Sequence, residues 1–246
     1  MDDILFYVIV GFLAQMIDGA IGMAYGVTAT SVLLSAGVPP ATASACVHAA
    51  ETVTTGASGA AHWKLGNVDR KLLWRLAVPG AIGGAIGAYV LSEFPGDTLK
   101  PFIAAYLLLL GLVIIWKAIG ARQRDSVKQG TVAPLGFFGG LLDAIGGGGW
   151  GPIVTSSLLG QGATPRYAIG SVNLAEFFVT LTISATFFVT IGLSLWPIIL
   201  GLIIGGVIAA PFAAFAAKHV PAKLLMLAVG CVVVLLSVHT LYRALG

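Results

Sequence analysis

The feature that most constrains this chain is a pair of interruptions inside long apolar segments. The stretch DGAIGMAYG at residues 18–26 returns as DAIGGGGWG at residues 143–151. Each copy lies within an apolar segment, the first at 4–36 and the second at 133–160. About 20 apolar residues in a helix are enough to cross a bilayer, but a run of glycines is a poor helix. Each copy therefore predicts a break within a membrane-embedded helix.

Composition indicates a membrane protein throughout the chain. Of its 246 residues, 58% are hydrophobic and 9% are charged, whereas about 25% are charged in a soluble domain. So little polar surface cannot cover a water-soluble fold. Further apolar segments lie at 43–62, 73–92, 98–117, 166–190, 194–216 and 222–242. We predict an all-α polytopic membrane protein, and we assign its net charge of +3 to membrane topology rather than to nucleic-acid binding.

The two halves of the chain are a duplication. A shift of 125 positions without a gap matches acids, glycines and prolines, whereas chance similarity between apolar segments would favour Leu, Val and Ala. The matched pairs include Asp18 with Asp143, Gly22 with Gly147, Gly26 with Gly151, Ser31 with Ser156, Pro40 with Pro165 and Glu51 with Glu176. The only long polar run, at 117–131, separates the halves. We predict a first repeat at 1–117, a cytoplasmic linker at 118–132 and a second repeat at 133–246.

Charge distinguishes two arrangements of these repeats. If both interrupted segments cross the membrane, the repeats are parallel and nine of the 13 Lys and Arg residues fall on one side. If each interrupted segment enters and leaves on the same side as a hairpin, the second half is inverted and eleven fall on one side. Cytoplasmic loops are enriched in Lys and Arg. We therefore predict two inverted repeats, each a re-entrant glycine-tipped helical hairpin followed by three transmembrane helices.

The tips of the two hairpins are the candidate binding site. A turn at bilayer depth is tolerated only where it is buried in protein or lines a wet cavity. The half-helix that follows has free N–H groups and a positive dipole end, and many transporters with inverted repeats hold substrate between two such ends. Glycine stretches also act as close-packing motifs between helices, the role that we predict for 79–88 and 201–206. The candidate substrate-binding residues are Gly22, Tyr25, Gly26, Thr28, Ser31, His48, Gly147, Gly148, Gly149, Trp150, Thr155, Ser156 and Asn173.

Four acids complete the candidate site. Glu51 and Glu176 lie about 13–17 Å along their helices, near the bilayer centre. An intramembrane acid is a functional candidate, and we expect these two to relay protons, helped by the His or Asn that stands three residues earlier on the same helix face. Asp18 and Asp143 precede the two breaks, and we expect them to accept hydrogen bonds from loop N–H groups. A structural, hydrogen-bonded acid is the alternative for the two glutamates, and direct contact with substrate is the alternative for the two aspartates.

The motifs of this chain resemble those of the sulfite/organosulfur exporter family TauE/SafE. They are DGAIGMAYG, SVLLSAGVPPATASA, HWKLGNVDRKLL and PGAIGGAIGAYV in the first half and LLDAIGGGGWGPIVTSSLLGQGATPRYAIGSVNLAEFFVT in the second. The likeness covers nearly the whole chain. It implies a secondary transporter, with an export role, for small sulfur-containing anions such as sulfite, sulfoacetate or other sulfonates. It also implies a location in the bacterial inner membrane.

We expect a carrier that exposes one central site alternately to the two sides of the membrane. A passive anion channel of the same architecture is the alternative. The sequence contains no nucleotide-binding motif, metal-ligand cluster or nucleophile–base pair, so we expect no enzyme activity, cofactor or metal. The expected partners are the anionic substrate and the lipid bilayer, and the stripes of Gly and Ala leave a homodimer open.

Overall fold

The fold is a bundle of helices, two of which end in the interior. The computed structural model describes residues 4–21, 23–120, 129–192, 196–219 and 221–245, and all regular elements in these ranges are helical. The first half contains α1 (Ile4–Ile21), α2 (Tyr25–Ser35), α3 (Pro40–Lys64), α4 (Arg70–Glu93) and α5 (Gly96–Gly120). The second half contains α6 (Val132–Gly146), a π-helical turn (Gly151–Thr155) leading into α7 (Ser156–Gly160), α8 (Pro165–Thr190), α9 (Trp196–His219) and α10 (Ala222–Leu245).

Several of these helices are suited to a bilayer by length and composition. Among the described residues, four helices are long and apolar enough to cross a membrane, namely α4, α5, α8 and residues 223–245 of α10. Helix α3 is equally long, with 25 residues, but it is less apolar because it carries buried polar side chains such as His48 and Glu51. The chain is therefore an all-α, multi-pass membrane protein, as its composition predicts.

Both interrupted segments break at their glycine stretches. Helix α1 ends at Ile21 and α2 begins at Tyr25, while α6 ends at Gly146 and the π-helical turn begins at Gly151. Helix α2 has 11 residues, or about 16 Å of rise, roughly half of the hydrocarbon thickness. Pro152 lies in the first turn after the second break, where its missing N–H costs little. Neither half-helix can cross a bilayer by itself.

The two halves exchange their helices as packing partners. Helix α1 of the first half packs along α9 of the second, and α6 of the second half packs along α4 of the first. Both pairs are parallel, because residue numbers rise together along each contact. The contacts are Tyr7 with Gly201 and Gln15 with Gly206 in the first pair, and Gly83 with Phe137 and Gly87 with Leu141 in the second. The glycine stripes at 79–88 and 201–206 are thus confirmed as helix-packing motifs, and they pack within one chain, so they give no support to a homodimer.

Helices α3 and α8, which correspond to each other under the 125-residue shift, pack in opposite directions. Along their contact, residue numbers rise in α3 while they fall in α8. The contacts are Thr52 with Ser184, Gly56 with Phe177, and Ser58 with Asn173. Two equivalent helices that cross in this way lie at the interface between the halves, next to both breaks.

The segment assigned to the linker is partly helical. Helix α5 continues to Gly120, three residues into the range 118–132, and a short 3-10 turn at Gln129–Thr131 precedes α6. Helix α5 ends where Gly120 adopts a φ of 135°, which a side chain would disfavour. Residues 121–128 lie outside the described ranges.

We predict that Gly83→Ala destabilises the protein although alanine is the better helix former. A Cβ at this position would overlap the Phe137 carbonyl of α6, and overpacking of this kind costs about 1–3 kcal/mol. The melting temperature of the purified protein in detergent measures the effect. The matched control is Gly160→Ala, whose Cβ would meet open space; equal melting temperatures for the two variants would contradict the close α4–α6 contact.

Candidate functional site

The two breaks adopt backbone conformations that favour glycine. Gly147, Gly148 and Gly149 have φ values of 67°, 154° and 152°, a region that L side chains rarely adopt. Ala24, the counterpart of Gly149 under the repeat, has a φ of 95°. It is the one non-glycine residue with positive φ in the part of the chain that the structure describes. The tip conformation therefore persists in the first repeat at the cost of local strain.

The two tips touch each other through their backbones. A Cβ on Gly26 would lie 2.8 Å from the Cα of Gly148, and a Cβ on Gly151 would lie 2.7 Å from the Cβ of Met23. The Thr30 hydroxyl donates a short hydrogen bond to the Gly147 carbonyl. The two interrupted segments thus meet most directly at Gly26 and Gly148, where backbone contacts backbone. Gly22 lies outside the described residues.

An aspartate caps the half-helix that follows each break. The Tyr25 N–H donates to Asp18 Oδ1 at 3.3 Å, and the Trp150 N–H donates to Asp143 Oδ1 at 2.9 Å. Negative charge is stabilised at a helix N-terminus, where N–H groups lack intrahelical acceptors. The chain's own carboxylates therefore occupy the position at each tip where an anion would bind.

A small cavity lies between the tips. Its volume is about 10 Å³, which is room for about one water molecule. Four carboxyl groups line it, those of Asp18, Glu51, Asp143 and Glu176, each from a different helix. The remaining lining residues are Ala24, Tyr25, Gly26, Val27, Thr54, Thr55, Gly149, Trp150, Gly151 and Pro152. The structure thus brings all four candidate acids to one place, together with residues from both tips.

The polar residues three positions before the two glutamates lie elsewhere. His48 does not line the cavity; its Nε2 lies 3.1 Å from Asp143 Oδ2, and its Nδ1 lies 2.8 Å from the Ser44 carbonyl oxygen. Asn173 donates from Nδ2 to Ser58 Oγ at 3.1 Å. His48 and Asn173, which occupy equivalent positions before Glu51 and Glu176 in the two halves, therefore have different surroundings.

The candidate hydroxyl groups surround the tips without lining the cavity. Thr28 and Ser31 on α2 are buried, and neither hydroxyl has a hydrogen-bond partner among the described residues. Thr155 is buried in the π-helical turn. Ser156 donates to the Pro152 carbonyl and accepts from Lys117 Nζ.

The aromatic residues of the tips are anchored to neighbouring helices. The Tyr25 hydroxyl donates to the Leu202 carbonyl at 3.3 Å. The Trp150 indole donates to the Val172 carbonyl at 3.4 Å. Both side chains are buried, so they fix each tip against the helices of the second half.

Two residues of α5 contact the second tip and were not predicted from the sequence. The Tyr106 hydroxyl donates to the Gly148 carbonyl at 3.2 Å. Lys117 Nζ donates to the Pro152 carbonyl at 3.1 Å, although its sequence position indicates only a charge at the membrane surface. A lone tyrosine in the apolar run AAYLLLLGLV is the one signal that could have drawn attention to Tyr106. Nothing in the spacing of Lys117 indicates its contact with a π-helical turn 35 residues away.

Comparison with known proteins identifies the family of this chain. The profile of the family described as sulfite exporter TauE/SafE matches residues 7–240. The "Probable membrane transporter protein YtnM" of Bacillus subtilis (strain 168) is 41% identical over 98% of this chain and 83% of its own length. The "Probable membrane transporter protein ORF9" of a Sinorhizobium species is 25% identical over 76% of this chain and 67% of its own length. No solved structure matches at a significant level. The chain belongs to the TauE/SafE family of membrane transporters.

Proposed function

We propose that this protein is a secondary transporter that exports small sulfur-containing anions, such as sulfite, sulfoacetate or other sulfonates, across the bacterial inner membrane. One observation carries the proposal: the two half-helix tips, one from each half of the chain, meet around one small cavity that four acids line. Rocking of one repeat against the other would expose such a site to each side in turn. The description of the family as sulfite exporters supports the substrate class.

The directions of the packed helices support inverted repeats. Parallel repeats would make α3 and α8 run the same way through the membrane, because each occupies the same position in its half. Their contacts instead run in opposite directions. Inversion also lets the first hairpin enter from the outside and the second from the cytoplasm, so that their tips meet in the interior.

The size of the cavity favours a carrier over a channel. A passive channel needs a continuous aqueous path, whereas this cavity holds about one water molecule between the tips. A carrier narrows its site in this way when it changes the side to which the site is open. Binding of the anion then requires the tips to separate.

Because four carboxyl groups line the proposed site, binding of an anion requires that some of them are protonated. Four negative charges around so small a space repel one another strongly, since the protein interior screens charge far less than water. A substrate anion would add another negative charge. We therefore propose that Glu51 and Glu176 are protonated when the anion binds, so that its own gradient drives export and protons control access to the site.

We predict that flux in proteoliposomes saturates with concentration and is stimulated by counterflow. A carrier with one site must reorient for each anion, and a trans substrate accelerates the return. Sulfite, sulfoacetate, taurine, thiosulfate and sulfate, each presented at two pH values, test the substrate class. Flux that rises linearly without counterflow would indicate a channel, and absence of flux for sulfite and all sulfonates would contradict the proposed substrates.

We predict that Glu176→Gln weakens the pH dependence of flux. In the parent protein, flux should rise as pH falls, because protonation removes charges that repel the anion; in the variant, only the part of this dependence that is due to the remaining acids, Glu51 above all, should persist. Methanesulfonate suits the measurement, since its own charge is constant from mildly acidic to mildly alkaline conditions. The matched control is Glu93→Gln, which alters an exposed acid at the end of α4. A pH profile unchanged by Glu176→Gln would assign a structural role to this acid.

A further inference from the structure

The contact between α3 and the second tip has a defined arrangement of protons. His48 and Asp143 are 0% and 2% exposed. Nδ1 of His48 lies 2.8 Å from the backbone oxygen of Ser44 and 3.2 Å from its Oγ. The Ser44 hydroxyl donates its own proton to the Ala144 carbonyl, 2.6 Å away. Both neighbours of Nδ1 are therefore acceptors, and Nδ1 carries a proton.

The other ring nitrogen faces the aspartate that caps the second half-helix. Nε2 of His48 lies 3.1 Å from Oδ2 of Asp143. A ring that is protonated at Nδ1 alone would direct a lone pair at a carboxylate oxygen, which is repulsive. A second proton therefore lies between the two atoms. Whether the ring or the carboxyl group holds it, the pair as a whole is uncharged.

The first tip differs from the second within the described part of the chain. Asn173 takes the place of His48 in the second repeat and is bonded to Ser58 rather than to Asp18. His48 forms an ion pair with Asp143. The two capping aspartates thus make the same bond to the backbone, but among the described residues a compensating base is found for Asp143 and not for Asp18.

The other groups around Asp143 make this compensation important. Glu51 on α3, Glu176 on α8 and Tyr106 on α5 are close enough to interact electrostatically with it. Asp18 on α1 lines the same cavity. These three carboxyl groups and the Tyr106 phenol are either neutral or negatively charged. None of them can supply a positive charge that would compensate Asp143. Removal of His48 would leave Asp143 as an unpaired negative charge among them.

We propose that His48 is a positioning residue that neutralises Asp143 and so lowers the negative charge that a substrate anion meets at the second tip. Asp18, Glu51 and Glu176 are the acids of the site that take up protons. His48 acts through Asp143, because it does not line the cavity itself. This inference rests on the proposed transport of an anion between the tips.

A double-mutant cycle tests this division of roles. His48→Asn installs the residue of the other repeat, Asp143→Asn removes the charge but keeps an oxygen that accepts from the Trp150 N–H, and the third variant combines both. KM and kcat for methanesulfonate are measured in proteoliposomes as a function of pH. His48→Asn should raise KM about tenfold, the scale of an uncompensated buried charge, and should shift the pH profile to lower pH. The double variant should have the KM of Asp143→Asn within about twofold, since the two residues act as one unit.

The control is His62→Asn, the same substitution near the end of α3, where His62 contacts Asn67. It should leave KM and the pH profile unchanged. Effects of His48→Asn and Asp143→Asn that multiply in the double variant would overturn the proposal, as would a lower kcat with an unchanged KM and pH profile.

Nitrogen-15 NMR of the parent protein gives a second test that needs neither folding of a His48 variant nor any substrate. Both ring nitrogens of His48 should be proton-bearing or strongly hydrogen-bonded at neutral pH. A bare Nε2 would overturn the proposed pair. If no anion is transported, the proposed function fails while this measurement still reports on the pair.

Discussion

The structure depends on how backbone polar groups are satisfied where a helix stops inside the bilayer. Lipid offers no hydrogen-bond partners, so a break at that depth is possible only if the protein supplies them. Here each break is preceded by an aspartate whose side chain caps the next half-helix. Thr30 and Tyr106, from elements outside the second break, donate to the carbonyls of Gly147 and Gly148. The hydrogen bonds that the backbone needs at the two breaks therefore bring carboxyl groups and neighbouring helices close together.

This placement of the carboxyl groups explains why the candidate site lies between the two halves rather than within one of them. Each half contributes one tip, one capping aspartate and one glutamate. The halves are held together by close backbone contacts, α1 on α9 and α4 on α6. A relative motion of the halves must change the tip contact, and the proposed alternating access uses this coupling.

Much of this arrangement could be predicted from the sequence. The rest could not, and the reason is physical. A glycine run within an apolar segment breaks a helix wherever the chain goes, so the ends of α1 and α6 could be predicted locally. Glu51 and Glu176 could be assigned to the interior because acids in apolar helices are excluded from lipid. The His48–Asp143 pair joins residues 95 positions apart, and the contact of Lys117 with Pro152 depends on the register of two helices. Such contacts follow from the packing of the halves, which residue spacing does not encode.

The central claim is that the transport cycle passes through a state in which the two tips are in direct contact, and Gly26→Ala tests it most directly. The added Cβ would lie 2.8 Å from the Gly148 Cα and 3.0 Å from Glu51 Oε1, so it separates the tips without altering a charge. Our account predicts that sulfonate flux falls at least about tenfold, the effect of about 1.4 kcal/mol of overpacking, while the amount of protein in the membrane is unchanged. Gly160→Ala, with open space around its Cβ, should transport normally. Normal flux by Gly26→Ala would contradict the account.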